Sequence, residues 1–169
     1  MGGFVAIDFE TADHGRDSAC AVALAVVRDG AITETVHRLI RPPRRGFRFT
    51  HVHGIAWEDV EGEADFGGVW PALAPLLDGA AFMVAHNAAF DRGVLEACCA
   101  AHGLRPPGLR FECTVRMARA AWGLYPTKLP DVCLHLGIPL RHHDAASDAA
   151  AAARIAVAAL RAGVAVTAP

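Results

Sequence analysis

The chain has 169 residues, 53% of them hydrophobic, which suits one domain with a single sizeable core. A formal net charge of −2 excludes a protein that coats nucleic acid by bulk electrostatics, and five cysteines, an odd set with no C-x-x-C spacing, fit neither a disulfide framework nor a zinc ribbon. No basic leader and no apolar run approaching 18 residues occurs, so the sequence reads as cytoplasmic and without membrane contact.

Taken in order, Phe4–Glu10 (FVAIDFE) is a short apolar run rich in aromatic and β-branched residues, and it predicts a buried first strand. Ala19–Arg28 predicts a second strand and Ala31–Ile40 a third, joined by the turn Asp29-Gly30. Residues 42–54 read as a loop, in and just before which Arg41, Arg44, Arg45 and Arg48 crowd together with Phe47 and Phe49. That cluster is either a solvated surface or a contact for a phosphodiester chain, since guanidinium groups pair with phosphates and aromatic rings stack on bases. A helix is expected over Gly68–Leu77 with Trp70, Leu73 and Leu77 on one face, then a short strand over Ala81–Ala85. A helix over Ala88–His102 capped by Asn87, a strand over Arg110–Cys113, and helices over Thr114–Trp122, Leu129–Leu136 and Asp144–Arg161 complete the reading. Strands first, then alternating helices and strands, predict an α/β sandwich on a mixed sheet.

Three segments place acids where apolar residues belong. Asp8 and Glu10 share one face of the first strand, roughly 6 to 7 Å apart at about 3.3 Å of rise per residue. Such a pair is either a solvated strand end or a site for a cation, because two adjacent carboxylates repel and lose hydration on burial. Asp91 shares a helix face with Val94, Leu95 and Cys98, and Asp148 with Ala151, Ala152 and Ile155. Either acid alone could be a first-turn residue answering the helix dipole. Together Asp8, Glu10, Asp91 and Asp148 form an oxygen-rich set of the kind that holds two Mg²⁺ or Mn²⁺ ions roughly 3.5 to 4 Å apart.

Asp8-Phe9-Glu10-Thr11, the run from His86 through Asn87 to Asp91, and the run from His143 to Asp148 resemble the three motifs, in order, of the DnaQ-like DEDDh exonuclease family. Val52-His53-Gly54-Ile55, Cys113 through Arg119 and Leu129 through Ile138 match as well, so the similarity spans essentially residues 4 to 160. Arg16-Asp17-Ser18-Ala19-Cys20 is more similar to stand-alone members than to a polymerase proofreading subunit. The resemblance implies a ribonuclease H-like fold, a five-stranded sheet ordered 3-2-1-4-5 with strand 2 antiparallel, forming one exonuclease domain over 1–169 with a core of about 4–162. It implies hydrolysis from the 3′ end to nucleoside 5′-monophosphates, with Asp8, Glu10, Asp91 and Asp148 as metal ligands for two Mg²⁺ or Mn²⁺ ions and His143 as general base. His142 is the adjacent competitor for that role, and His86 is expected to support the start of the Asp91 helix. Phe9, Thr11 and Ala12 stand where the family grips the terminal nucleotide, and Arg44, Arg45 and Arg48 are the candidate backbone contacts. The substrate implied is single-stranded DNA or RNA with a free 3′ end, DNA favoured, in processes such as DNA repair or proofreading. A small-RNA exonuclease and an inactive nucleic-acid-binding module are the alternatives. A polymerase or a second copy of the chain is left open as partner.

Overall fold

The computed structural model describes residues 2–166. β1 (Phe4–Thr11) and β2 (Ala19–Arg28) are mostly apolar, and they pair antiparallel as neighbours in the sheet. Strands buried on both faces need such apolar runs, whereas β3 (Ala31–Leu39), antiparallel to β2 at the sheet edge, has only exposed and half-buried residues. The β2–β3 hairpin closes on Asp29 (φ 51°) and Gly30 (φ 76°), the two positive φ values that match the twist of paired strands. On its other edge β1 pairs parallel with β4 (Met83–Ala85), and β4 with β5 (Phe111–Cys113), giving the order β3-β2-β1-β4-β5. The expected sheet is therefore present in order and direction.

Because side chains alternate along β1, its odd and even residues serve two different cores. Val5, Ile7 and Phe9 pack against α3 (Phe66–Leu73), the following 3₁₀ turn Ala74–Leu77 and α4 (Ala89–Ala101). Phe4 and Ala6 pack against α7 (Ala145–Arg161), whose inner face is Ala149, Ala152, Ala153 and Ala156, all essentially fully buried. Methyl-sized side chains let this helix approach the sheet closely, and α5 (Thr114–Trp122) and α6 (Leu129–Leu136) brace its far side through Ala118, Val132 and Ile155. Each fully buried aliphatic side chain such as Ile7 or Leu24 stabilises the fold by roughly 1.5–3 kcal/mol.

The structure corrects several boundaries. Residues 42–54 are not loop throughout, since α1 (Thr50–His53) forms a helical turn there, and a second turn, α2 (Trp57–Val60), follows. The helix expected from Gly68 starts at Phe66, where the Asp65 carboxylate accepts the Gly68 N–H at 3.0 Å, and tightens to 3₁₀ geometry before Pro75. Asn87 does not cap α4 with its side chain; its backbone turns left-handed (φ 64°) instead, a conformation asparagine tolerates better than most residues. At α7 the cap is Asp144, whose carboxylate accepts the Ser147 N–H at 3.0 Å.

Candidate active site

The carboxyl end of β1 and the first turns of α4 and α7 converge at one point. Asp8 and Glu10 lie on the even face of β1, toward α7, and α7 presents Asp148 one turn after its cap. One carboxylate oxygen from each of Asp8, Glu10 and Asp148 falls within 4.8 Å of the others. Asp91, 2% exposed in the first turn of α4, reaches the same strand: its Oδ1 accepts the Phe9 N–H at 3.0 Å. The four acids and His143 of the sequence reading are thus brought together, and the cavity in front of them holds about 420 Å³.

This cluster is electrostatically unbalanced. Burial, then the neighbouring Asp91, Asp148 and Glu10, holds the Asp8 carboxyl well above the ordinary range. Burial, then Asp148 and Asp144, pushes Glu10 up to about 7. Burial raises Asp91 as well, against the opposing pull of the Phe9 N–H, and raises Asp148 against the His143 N–H. Asp148 Oδ2 accepts the His143 backbone N–H at 3.0 Å and meets His142 Nδ1 at 3.0 Å, while Oδ1 is buried with no protein partner. Desolvated carboxylates with an orphaned oxygen are the signature of a missing counter-charge, and an all-oxygen donor set suits a hard divalent cation.

The two histidines differ. His143 adopts a left-handed backbone (φ 67°) and its ring stacks on that of His142 with centroids 3.8 Å apart. His142 is engaged by Asp148, whereas no described residue engages the His143 ring nitrogens. Burial, then His142, lowers the pKa of His143, so the ring favours its neutral, proton-accepting form. His86 does not serve the α4 start as expected. Its Nε2 donates to Thr127 O at 3.1 Å and its Nδ1 pairs with Thr114 Oγ1 at 2.8 Å, so it ties α5 to the segment before α6, and burial lowers its pKa to about 4.

The proposed substrate contacts divide. Phe9, 3% exposed, lines the cavity. Thr11 and Ala12 lie beneath the surface, and Ala12 has spent both backbone groups, its N–H on Ser18 O and its C=O on Arg48 N. Arg44 is already paired: its guanidinium holds Asp13 (Nε, 2.9 Å) and Asp17 (Nη2, 2.7 Å), which joins the loop after β1 to the loop after β3. Arg45 lies over the Trp57 ring at 5.1 Å, and Arg48 is exposed outside the cavity lining. Sequence reasoning missed Phe90, exposed at 38%, and Lys128, both of which line the cavity.

Residues 5–156 match the model of the exonuclease family, RNase T type. The chain belongs to the exonuclease family. Asp8, Glu10, Asp91, His143 and Asp148 stand at the positions where the sequence resembles the DEDDh motifs. It is similar to the PolC-type DNA polymerase III of Thermotoga petrophila, 31% identical over 160 residues that make up 90% of this chain and 11% of the polymerase. It is similar to the 3′-5′ exonuclease DinG of Bacillus subtilis, 34% identical over 154 residues, 86% of this chain and 16% of DinG. The chain therefore spans only a small part of the length of these curated relatives. The nuclease domain of 3′hExo, a DEDDh member solved bound to rAMP, shares the fold with a TM-score of 0.81 at 18% identity, over 96% of this chain and 93% of that one. Among the described residues no helix is long and apolar enough to cross a membrane.

Proposed function

We propose that this chain is a metal-dependent 3′–5′ exonuclease that releases nucleoside 5′-monophosphates from single-stranded nucleic acid, with DNA preferred. The observation that carries the reading is the convergence of Asp8, Glu10 and Asp148 within 4.8 Å at a cavity whose wall presents an unengaged His143 ring. The similarity to relatives named as a DNA polymerase and a 3′-5′ exonuclease supports DNA and the polarity, and the rAMP-bound neighbour keeps short RNA as the second substrate. One exonuclease domain over 1–169 is sufficient for this reading.

Asp8, Glu10, Asp91 and Asp148 would hold two divalent ions, Mg²⁺ or Mn²⁺, and the orphaned Asp148 Oδ1 fits that assignment. Such ions supply Lewis acidity and offset charge at the phosphodiester when bound. The protein groups do the rest. The His143 ring accepts a proton from the attacking water, and the His143 backbone N–H, donated to Asp148 Oδ2, fixes the base to the ligand set. His142, held by the same oxygen, backs the ring by stacking. Phe90, exposed at the cavity wall, offers flat apolar surface for a terminal base.

The test is a 5′-labelled oligonucleotide, DNA or RNA, with and without Mg²⁺ or Mn²⁺. The expected outcome is a ladder shortening from the 3′ end that excess chelator abolishes. Cleavage in excess chelator, or shortening from the 5′ end, overturns the mechanism.

A further inference from the structure

Beside the acidic cavity lies a larger one of about 950 Å³, and the two share Asn87 and Val115 in their walls. The left-handed Asn87 stands at the junction. This second cavity runs between α4 and the start of α5 and is basic: Arg16, Arg92 and Arg116 line it against a single carboxylate, Glu96. Glu96 holds Arg92 at 2.9 Å as an exposed i,i+4 pair, an interaction worth at most about 1 kcal/mol and easily exchanged. Arg116 is exposed and has no ion-pair partner among the described residues.

Arg16 is seated with more care. Its Nη1 donates to Ala89 O and Phe90 O, both at 3.2 Å, so the guanidinium lies flat against α4. Gly93 makes this possible, since a Cβ there would stand 2.9 Å from Arg16 Cζ. A glycine inside a helix costs about 1 kcal/mol relative to alanine. Glycine at this position leaves room for a cation in the groove, and the two carbonyl contacts use at most two of the five guanidinium N–H donors, which leaves three for a ligand. None of these arginines takes part in the acid-cluster chemistry.

We propose that this groove carries the phosphodiester backbone of the substrate strand just upstream of its terminal nucleotide, an inference that rests on the exonuclease reading above. A strand whose 3′ end occupies the acidic cavity must leave it, and the flanking carboxylates repel its phosphates. The adjoining basic groove offers planar guanidinium forks that match phosphate oxygens, with half-exposed Phe111 and Val115 as apolar surface for bases. The groove thereby confers preference for longer single strands without reading their sequence.

Two variants test it, Arg92→Ala/Arg116→Ala and Gly93→Ala, the latter displacing Arg16 while favouring the helix. Both are assayed with Mn²⁺ on the p-nitrophenyl ester of thymidine 5′-monophosphate, which needs only the first cavity, and on an oligothymidylate of about twelve nucleotides across a salt series. The double variant should raise KM for the long strand about tenfold and flatten its log–log salt slope by about 1.4, at about 0.7 per lost phosphate contact, while ester turnover changes less than twofold. Gly93→Ala should raise the long-strand KM in the same length-dependent way. Arg92→Lys/Arg116→Lys should restore the salt slope, because charge is kept. Long-strand KM and slope unmoved in both alanine variants, with ester turnover intact, overturns the groove and leaves the exonuclease reading standing. A wild-type protein that turns over neither substrate removes that reading itself.

Discussion

At His143 the backbone enters the left-handed region, which costs a non-glycine residue about 1–2 kcal/mol, and this turn lays two consecutive rings side by side rather than on opposite sides of the chain. The outcome is a division of labour between neighbours, with His142 bound to Asp148 and His143 left open. His143→Ala should lower kcat by roughly 10²–10⁴ with KM and Tm near wild type, and His142→Ala should do far less. Single-turnover rates of the two variants check this; a larger loss for His142→Ala exchanges their roles. Because burial and His142 lower the His143 pKa, the base stays neutral further into acid than an ordinary histidine. The rate should rise with pH to a midpoint below about 6.5, read from kcat over a pH series. Asp8, Glu10, Asp91 and Asp148 were legible in the sequence because an acid at a core position breaks its periodicity. Lys128 was not, since nothing in its neighbours' spacing points at a cavity formed by a distant strand.

The long elements were legible for a similar reason. β1, β2 and α7 carry patterns too extended to arise from a turn, whereas α1 and α2 are four residues each and leave no periodic trace. The arginine-rich loop was legible only in part. A local run shows four guanidiniums but not the carboxylates of Asp13 and Asp17, 31 and 27 residues away, that claim one of them. Arg44 consequently joins two loops. The Arg44 guanidinium holds both carboxyls below their ordinary range, first through its hydrogen bonds to them, and the pairs are exposed, so each is worth about 1 kcal/mol or less. Arg44→Ala should accordingly shift Tm by only a few degrees yet speed proteolysis of residues 13–18, with a stronger effect at low salt. Limited digestion followed by mass spectrometry reads this, and an unchanged cleavage pattern would show that the loops hold without the clamp.

For the molecule as a whole, the acid cluster sets a pH dependence opposite to that of most salt-bridged proteins. Burial raises Asp8, Glu10, Asp91 and Asp148 in the folded state, so without a cation that state binds protons more tightly than the unfolded chain. The stability linked to them is full below the ordinary carboxylate values and is lost as pH rises through the folded ones, Glu10 at about 7 among them. In chelator, Tm should fall between about pH 5 and pH 8, and Mg²⁺ or Mn²⁺ should raise it most at the alkaline end, as expected for a ligand of the folded state. Calorimetry across that range checks both statements. A chelated Tm that is flat or rising with pH, and insensitive to either ion, would mean the carboxylates find their counter-charge elsewhere.

The alanine face of α7 carries a consequence for how this sequence can change. Ala149, Ala152, Ala153 and Ala156 admit nothing larger without pushing the helix off the sheet, at about 1–3 kcal/mol for each overpacked site. Asp148 rides on the same helix, so any such shift also withdraws an oxygen from Asp8 and Glu10. In a deep mutational scan these four positions would score as intolerant in growth-based and activity-based selections alike. The exposed positions of the same helix, such as Arg154, would drift freely.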